Sequence, residues 1–247
     1  MTTVISHKLY SIIRIDMIML WLVISHAVTG FVPRVKADPA RGPVSGDSLN
    51  TAAEMDDLEA TEKEVILRMN RVRHDPAGYA DQYLVPALQM YRGKLLERPG
   101  QIAIETREGR KALKECIAVL QKTQAMPILR PVVGLCRAAR DHALDIGTRG
   151  IISHTGSDGS SPFDRMERYG VWKKTAAENI DYGSRNAEEI IYSLLVDDGV
   201  PSRAHRQTLL NPDFLMTGVS IKPHKKYRQC CIITYAAQYG GLAPKRK

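Results

Sequence analysis

Along this chain helical periodicity fills the first two thirds and strand-like alternation is confined to the end. Helices segregated from strands in this way predict an α+β fold and argue against the alternating order that builds a parallel α/β sheet. Val65, Ile66, Met69 and Val72 recur at helical spacing after the capping-box sequence Thr61-Glu62-Lys63-Glu64, and Asp75-Pro76 closes that helix and opens another. A second helical pattern runs from Thr106 with Ala112, Leu113, Cys116, Ile117 and Leu120 on one face, and Met126-Pro127 breaks it. Leu135, Ala138, Ala139, His142, Ala143 and Ile146 form a third apolar stripe that stops near Gly147. A lone histidine on such a stripe reads as a hydrogen-bonded core residue before it reads as a ligand.

After the loop from His154 to Ser160, Ser161-Pro162-Phe163-Asp164 caps a short helix that ends at Gly170, and a further helix is expected over about 186–196. Residues 217–221 and 230–237 read as two strands joined through the basic turn at Lys222 to Arg228, a hairpin whose charges are expected to be solvated.

The N-terminus stands apart from this globule. Lys8 and Arg14 precede the apolar run Met17 to Ile24, which is followed by the small residues Ser25 and Ala27 and later by Val35-Lys36-Ala37. The order of basic region, short apolar stretch and small residues predicts a signal peptide over 1–37. The alternative is an uncleaved membrane anchor, against which the run's length weighs because a spanning helix needs about 20 apolar residues, and no transmembrane segment is expected after cleavage. Residues 38–60, rich in Pro, Gly, Ser and acids, are expected as a flexible linker, 61–240 as the folded domain and 241–247 as a basic tail.

The chain carries a net charge of +8, and removing residues 1–37 takes away four cations and one anion, leaving about +5. That mild excess favours loose contact with anionic polymers or headgroups. Nucleic acid is not expected as a partner, because neither aromatic-basic interleaving nor metal-finger spacing is present. Cys116, Cys136, Cys230 and Cys231 would enter an oxidising compartment where a disulfide can form. Four thiols allow three pairings, and buried free thiols are the alternative. Cys230 and Cys231 are adjacent on a strand, so they face opposite ways and cannot both reach one partner.

Three polar positions sit in distinctive segments: His154 in a Gly/Ser-rich loop, Glu178 in Ala177-Glu178-Asn179-Ile180, and His205 in the run from Asp197 to Arg206, followed by Asn211-Pro212. Together with Asn70-Arg71-Val72-Arg73 before Asp75-Pro76, these segments resemble the CAP superfamily, the cysteine-rich secretory, antigen 5 and pathogenesis-related proteins, in its bacterial secreted form. The resemblance implies a three-layer α-β-α sandwich, here with a helical insertion over 84–125. It also implies a cavity lined by His154, Glu178 and His205. The family's fourth cavity acid is a glutamate on the preceding helix, where this chain has Asp197 and Asp198, and Asp198 is the expected counterpart.

No cofactor is required by this reading, although two imidazoles in one cavity would offer a divalent cation such as zinc the ligands His154 and His205. The resemblance implies a secreted or cell-envelope protein that binds an extracellular lipid, glycan or protein. Two further readings use the same residues: a metal-dependent hydrolase or peptidase with Glu178 as general base, and a structural surface protein with an inert cavity. No Gly-x-Ser-x-Gly elbow, His-Glu-x-x-His, Cys-x-x-Cys or Gly-rich phosphate loop is present to support other chemistry.

Overall fold

A computed structural model describes residues 46–241, with side chains from Ser48 onward. The expected signal peptide and the end of the basic tail lie outside the described residues. A short helix α1 (Gly46–Leu49) and a series of turns lead into α2 (Ala60–His74). These residues belong to the stretch expected as a linker, yet Leu49, Ala52 and Leu58 are buried. The Asn70 amide donates to Leu49 O at 2.9 Å, and the Thr51 hydroxyl donates to Leu129 O at 2.8 Å. The domain therefore begins inside the expected linker, because three apolar side chains find partners that a composition rich in polar residues does not reveal. Glu62 turns back to accept from Glu59 N at 2.9 Å, so the carboxylate that closes the helix start lies two residues before the expected Glu64.

Asp75 ends α2 and caps α3 (Pro76–Tyr79), its carboxylate accepting from Gly78 N at 2.9 Å. A π-turn, Ala80–Leu84, and α4 (Val85–Ala87) lie at the start of the stretch expected as an insertion. That insertion holds a small antiparallel sheet, β1 (Tyr91–Arg92), β2 (Leu95–Leu96) and β3 (Ile104–Glu105), before its helix α5 (Arg110–Leu120). The rest of the domain is β4 (Arg130–Pro131), α6 (Val133–Arg149), α7 (Pro162–Glu167), β5 (Val171–Tyr182), α8 (Ala187–Val196), α9 (Ala204–Leu209), β6 (Met216–His224) and β7 (Arg228–Gly240).

The main sheet has the order β4-β6-β7-β5, antiparallel except for β4 against β6. Side chains alternate across it. Ile180, Ile232 and Cys230 pack with Ala139, Ala143 and Ile146 of α6, whereas Ile233, Tyr235 and Cys231 join the larger core beneath α2, α5 and α8. The result is three layers, with α6 and α7 on one face of the sheet and α2, α5 and α8 on the other. Gly218 sets the spacing of the first interface: a Cβ there would collide with the backbone of Leu135 and Cys136, so α6 lies almost directly on β6.

All four cysteines are free and buried. Cys230 and Cys231 stand in different cores, as adjacent strand positions must. Burial pushes the Cys116 and Cys136 thiols up to about 11 and that of Cys231 well above its ordinary value, so at neutral pH these thiols are protonated and unreactive.

Arg73 is fully buried, and no carboxylate pairs with it among the described residues. Its Nε donates to Pro127 O at 2.8 Å, Nη1 to Leu209 O and Asn211 O at 2.7 and 3.0 Å, and Nη2 to Phe214 O at 2.8 Å. One guanidinium thus satisfies four carbonyls and ties α2 to the chain on both sides of Asn211-Pro212. Burial lowers its pKa to about 10, opposed by the nearby Tyr235, and it keeps its charge at neutral pH.

Candidate functional site

The loop after α6 is shaped from both ends. Gly150 takes the left-handed conformation that ends α6, and Asp145 near the end of that helix accepts from Ser157 N at 2.7 Å. Ser161 then starts α7 through a reciprocal capping box with Asp164, as the Ser161-to-Asp164 sequence predicts. The box fixes the rotation of α7 and turns the next residue, Arg165, inward.

Glu178 is the meeting point of this region. His154 Nδ1 lies 2.9 Å from Glu178 Oε1, and Arg165 Nη2 donates to Oε1 and Oε2 at 3.2 and 3.0 Å. The same guanidinium donates to His154 O at 2.9 Å and, through Nη1, to Ser160 O at 2.8 Å, so it also pins the loop that carries the imidazole. Glu178 and Arg165 are almost wholly enclosed, while the His154 side chain keeps 24% of its surface exposed. His142 stands behind them, its Nε2 bonded to Ser153 O at 2.8 Å and 3.9 Å from Glu178 Oε1.

These contacts set protonation. Burial alone would push the Glu178 carboxyl up, but the His154 hydrogen bond and the charge of Arg165 outweigh it and hold Glu178 below the ordinary carboxylate range. Burial lowers the His142 pKa more than Glu178 raises it, so His142 is neutral. Ser153 O only accepts, which puts the His142 proton on Nε2. By the same logic the Glu178 carboxylate takes the Nδ1–H of His154, and Nε2 is the ring nitrogen left for a further partner.

His205 belongs to a second arrangement. Asp197 adopts φ +53° at the end of α8, and its carboxylate receives both the His205 ring, with Nδ1 to Oδ1 at 2.7 Å, and the His205 backbone N–H, Oδ2 at 2.8 Å. Asn179 Nδ2 donates to His205 O at 3.0 Å. Asn179 follows Glu178 on β5, so the two side chains leave opposite faces of the sheet. Thr234, paired with Glu178, bonds to Leu135 O on α6, whereas Ile233, paired with Asn179, lies in the opposite core.

The structure thus places the four expected cavity residues in three positions. His154 meets Glu178 and His205 meets Asp197, with no hydrogen bond or ion pair between the two couples among the described residues. Asp198 joins neither; its carboxylate accepts from Arg107 N at 2.6 Å and Glu108 N at 2.8 Å, in front of α5. Around it Arg203 bridges Glu108 at 2.6 Å and Glu115 at 3.1 Å, and Arg206 reaches Glu115 at 2.7 Å. The insertion is thereby riveted to the loop that carries His205.

A zinc ion does not fit these donors. Among the described residues no three His, Cys, Asp or Glu side chains are grouped so as to hold a metal ion, and His154 and His205 lie in separate arrangements, although the carboxylate on Nδ1 of each ring leaves its Nε2 open. Two members of the Glu178 cluster are not marked by the family segments: Arg165, whose only sequence signal is the capping box immediately before it, and His142, which reads as a core residue and is one.

A three-layer sandwich with a buried Glu–His–Arg cluster beside its edge strand defines the class of this chain. The sequence profile of the CAP, or cysteine-rich secretory protein, family matches residues 68–239, and the chain belongs to that family. YkwD of Bacillus subtilis (strain 168) is 34% identical over 85 residues, covering 34% of this chain and 31% of that protein. The chain thus matches about a third of the length of that curated relative. Among solved structures, an extracellular protein containing a SCP domain from Bacillus anthracis str. Ames is similar at 20% identity and a TM-score of 0.38, over 46% of this chain and 35% of that one. An outer surface protein from Borrelia burgdorferi is similar at 18% identity and a TM-score of 0.36, over 51% of this chain and 92% of that one. Among the described residues no helix is long and apolar enough to cross a membrane.

Proposed function

We propose that this chain is a secreted CAP-domain binding protein whose binding surface is centred on His154. The observation that carries the reading is the partly exposed His154 ring standing on a carboxylate that its own hydrogen bond and Arg165 together keep charged. Such a ring has one free nitrogen, Nε2, and a rigid support, which suits recognition of a hydroxyl or amide on an extracellular ligand. Export is supported by the Lys8-to-Ala37 pattern.

The hydrolase reading is weaker on the same geometry. A general base works best with a pKa near the operating pH, and Glu178 is held in the opposite direction with both oxygens engaged. No serine, threonine or cysteine side chain bonds to His154 to serve as its nucleophile among the described contacts.

The test has two arms. N-terminal sequencing of protein recovered from the culture medium should begin within residues 28–40; a full-length species confined to membranes contradicts export. The exported protein is then assayed for retention on isolated cell-wall polymer and on phospholipid vesicles, and for turnover of a peptide library with and without zinc. Retention that falls in His154→Ala while the melting temperature holds, with no turnover, is the expected result. Zinc-dependent turnover abolished by His154→Ala would overturn the binding reading in favour of a hydrolase.

A further inference from the structure

A cleft of about 220 Å³ opens between the insertion and the outer side of α8, on the far side of the sheet from His154. Met90 and Leu96 of the insertion, with Tyr83 of the preceding π-turn, build one wall, and α8 supplies Tyr192. Tyr192 is fixed in place, because its hydroxyl shares a 2.8 Å hydrogen bond with that of Tyr91. The Arg98 guanidinium lies over the Tyr192 ring, 5.0 Å from its centroid.

Arg98 stands apart among the charges of this cleft. Glu189 also lines it, but Gln101 Nε2 donates to Glu189 at 2.8 Å and Arg185 N at 2.9 Å, with the Arg185 guanidinium at 3.4 Å. Glu188, on the rim, is 3.4 Å from Arg68. Arg98 has no carboxylate partner among the described residues, so it is the lining charge left without a counter-ion. A guanidinium stacked on an aromatic ring spends its face and keeps its edge N–H groups, and its side-chain freedom is already reduced before any ligand arrives.

We propose that this cleft binds a small carboxylate carrying one ring. The carboxylate takes the edge of Arg98 in a charge-assisted pair, and the ring lies on the wall of Tyr83, Met90 and Leu96. The volume is below the range of drug-sized sites, about 300–1,000 Å³, which limits the ligand to a ring with a short acidic arm. The insertion then has a purpose that its sequence does not disclose: it makes one side of a site that α8 alone could not form.

The test uses the full chain, titrated at neutral pH with phenylacetate by calorimetry and followed by amide NMR. Binding is expected, with shifts confined to residues 83–101 and 186–192. Phenylacetamide, which has the ring without the charge, and acetate, which has the charge without the ring, should each bind at least about tenfold more weakly. Arg98→Gln should remove the preference for acid over amide, while Lys226→Ala, a cation on the β6–β7 turn, should leave it intact. Equal binding of phenylacetate and phenylacetamide, equal losses in the two variants, or shifts centred elsewhere would overturn the proposal. Hexanoate binding as tightly as phenylacetate would overturn the ring.

Discussion

Glu178 and Asn179 are consecutive on β5 and stand on opposite faces of the sheet. Glu178 holds His154 and Arg165 against the α6–α7 layer, and Asn179 holds the backbone of His205 against the α8–α9 layer. One dipeptide therefore anchors both histidine segments, by contacts that never meet. This gives the Glu-Asn pair a structural reason to be adjacent: exchanging the two, or slipping the register by one residue, would send each side chain to the wrong layer.

Asp181 provides a pH signature on the α8 side. Its carboxyl is fully enclosed, and burial lifts it from an ordinary value near 3.8 to about 6 against the pull of hydrogen bonds from Ser184 and Ser193 and the nearby His205. A raised folded-state pKa contributes stability that is fully present below the unfolded value and lost as pH rises through the folded one. Asp181→Asn should therefore flatten the stability profile between about pH 4 and pH 6 and stabilise the protein at pH 7 by up to about 3 kcal/mol. Urea unfolding at a series of pH values checks this, and an unchanged slope in the variant would contradict it.

Glu178 carries the opposite sign. Its folded pKa is lowered, so its contribution is present above the ordinary carboxylate value and is lost as pH falls through the folded one. Glu178→Gln leaves Arg165 buried without its counter-charge and should destabilise the protein by about 3–5 kcal/mol at neutral pH, as removal of one partner of an enclosed pair does. Arg165→Met in the same background should recover part of that loss. A double variant no better than Glu178→Gln would show that the pair does not act as a unit.

Arg73→Lys is expected to destabilise by about 2–4 kcal/mol despite keeping the charge. A lysine cannot reproduce the planar fork that serves Pro127, Leu209, Asn211 and Phe214, and it would leave buried carbonyls unpaired. Denaturant midpoints measure the effect, and a change below about 0.5 kcal/mol would remove Arg73 as a tie.

Much of this fold is legible in the sequence where apolar periodicity is strong. The third stripe appears as α6, the pattern near 186–196 as α8 behind its Asn186 cap, and the two C-terminal runs as the β6–β7 hairpin. β5 is not legible, because Lys173, Lys174, Glu178 and Asn179 break any apolar alternation. It is a strand through its backbone pairing with β7, with an irregularity between Lys173 and Ala176 where Lys174 takes φ +68°. The strands of the insertion are two residues each, too short for any period.

The site divides in the same way. His154 and Glu178 meet, on segments the family resemblance marks. Which aspartate serves His205 depends on backbone conformation: Asp197 in the left-handed region turns its carboxylate back over α9, and Asp198, one residue on, points to the insertion. Two adjacent aspartates of identical chemistry give a sequence reader nothing with which to separate them.

Zinc titration of the full chain, followed by long-range proton–nitrogen NMR of the imidazoles, tests the central claim that His154 and His205 belong to separate arrangements. Both rings should appear as Nδ1–H tautomers, set by Glu178 and Asp197. Any zinc response of His205 should be unchanged in His154→Ala, and that of His154 unchanged in His205→Ala. A single tight zinc site that involves both imidazoles and is lost in either variant would contradict the account.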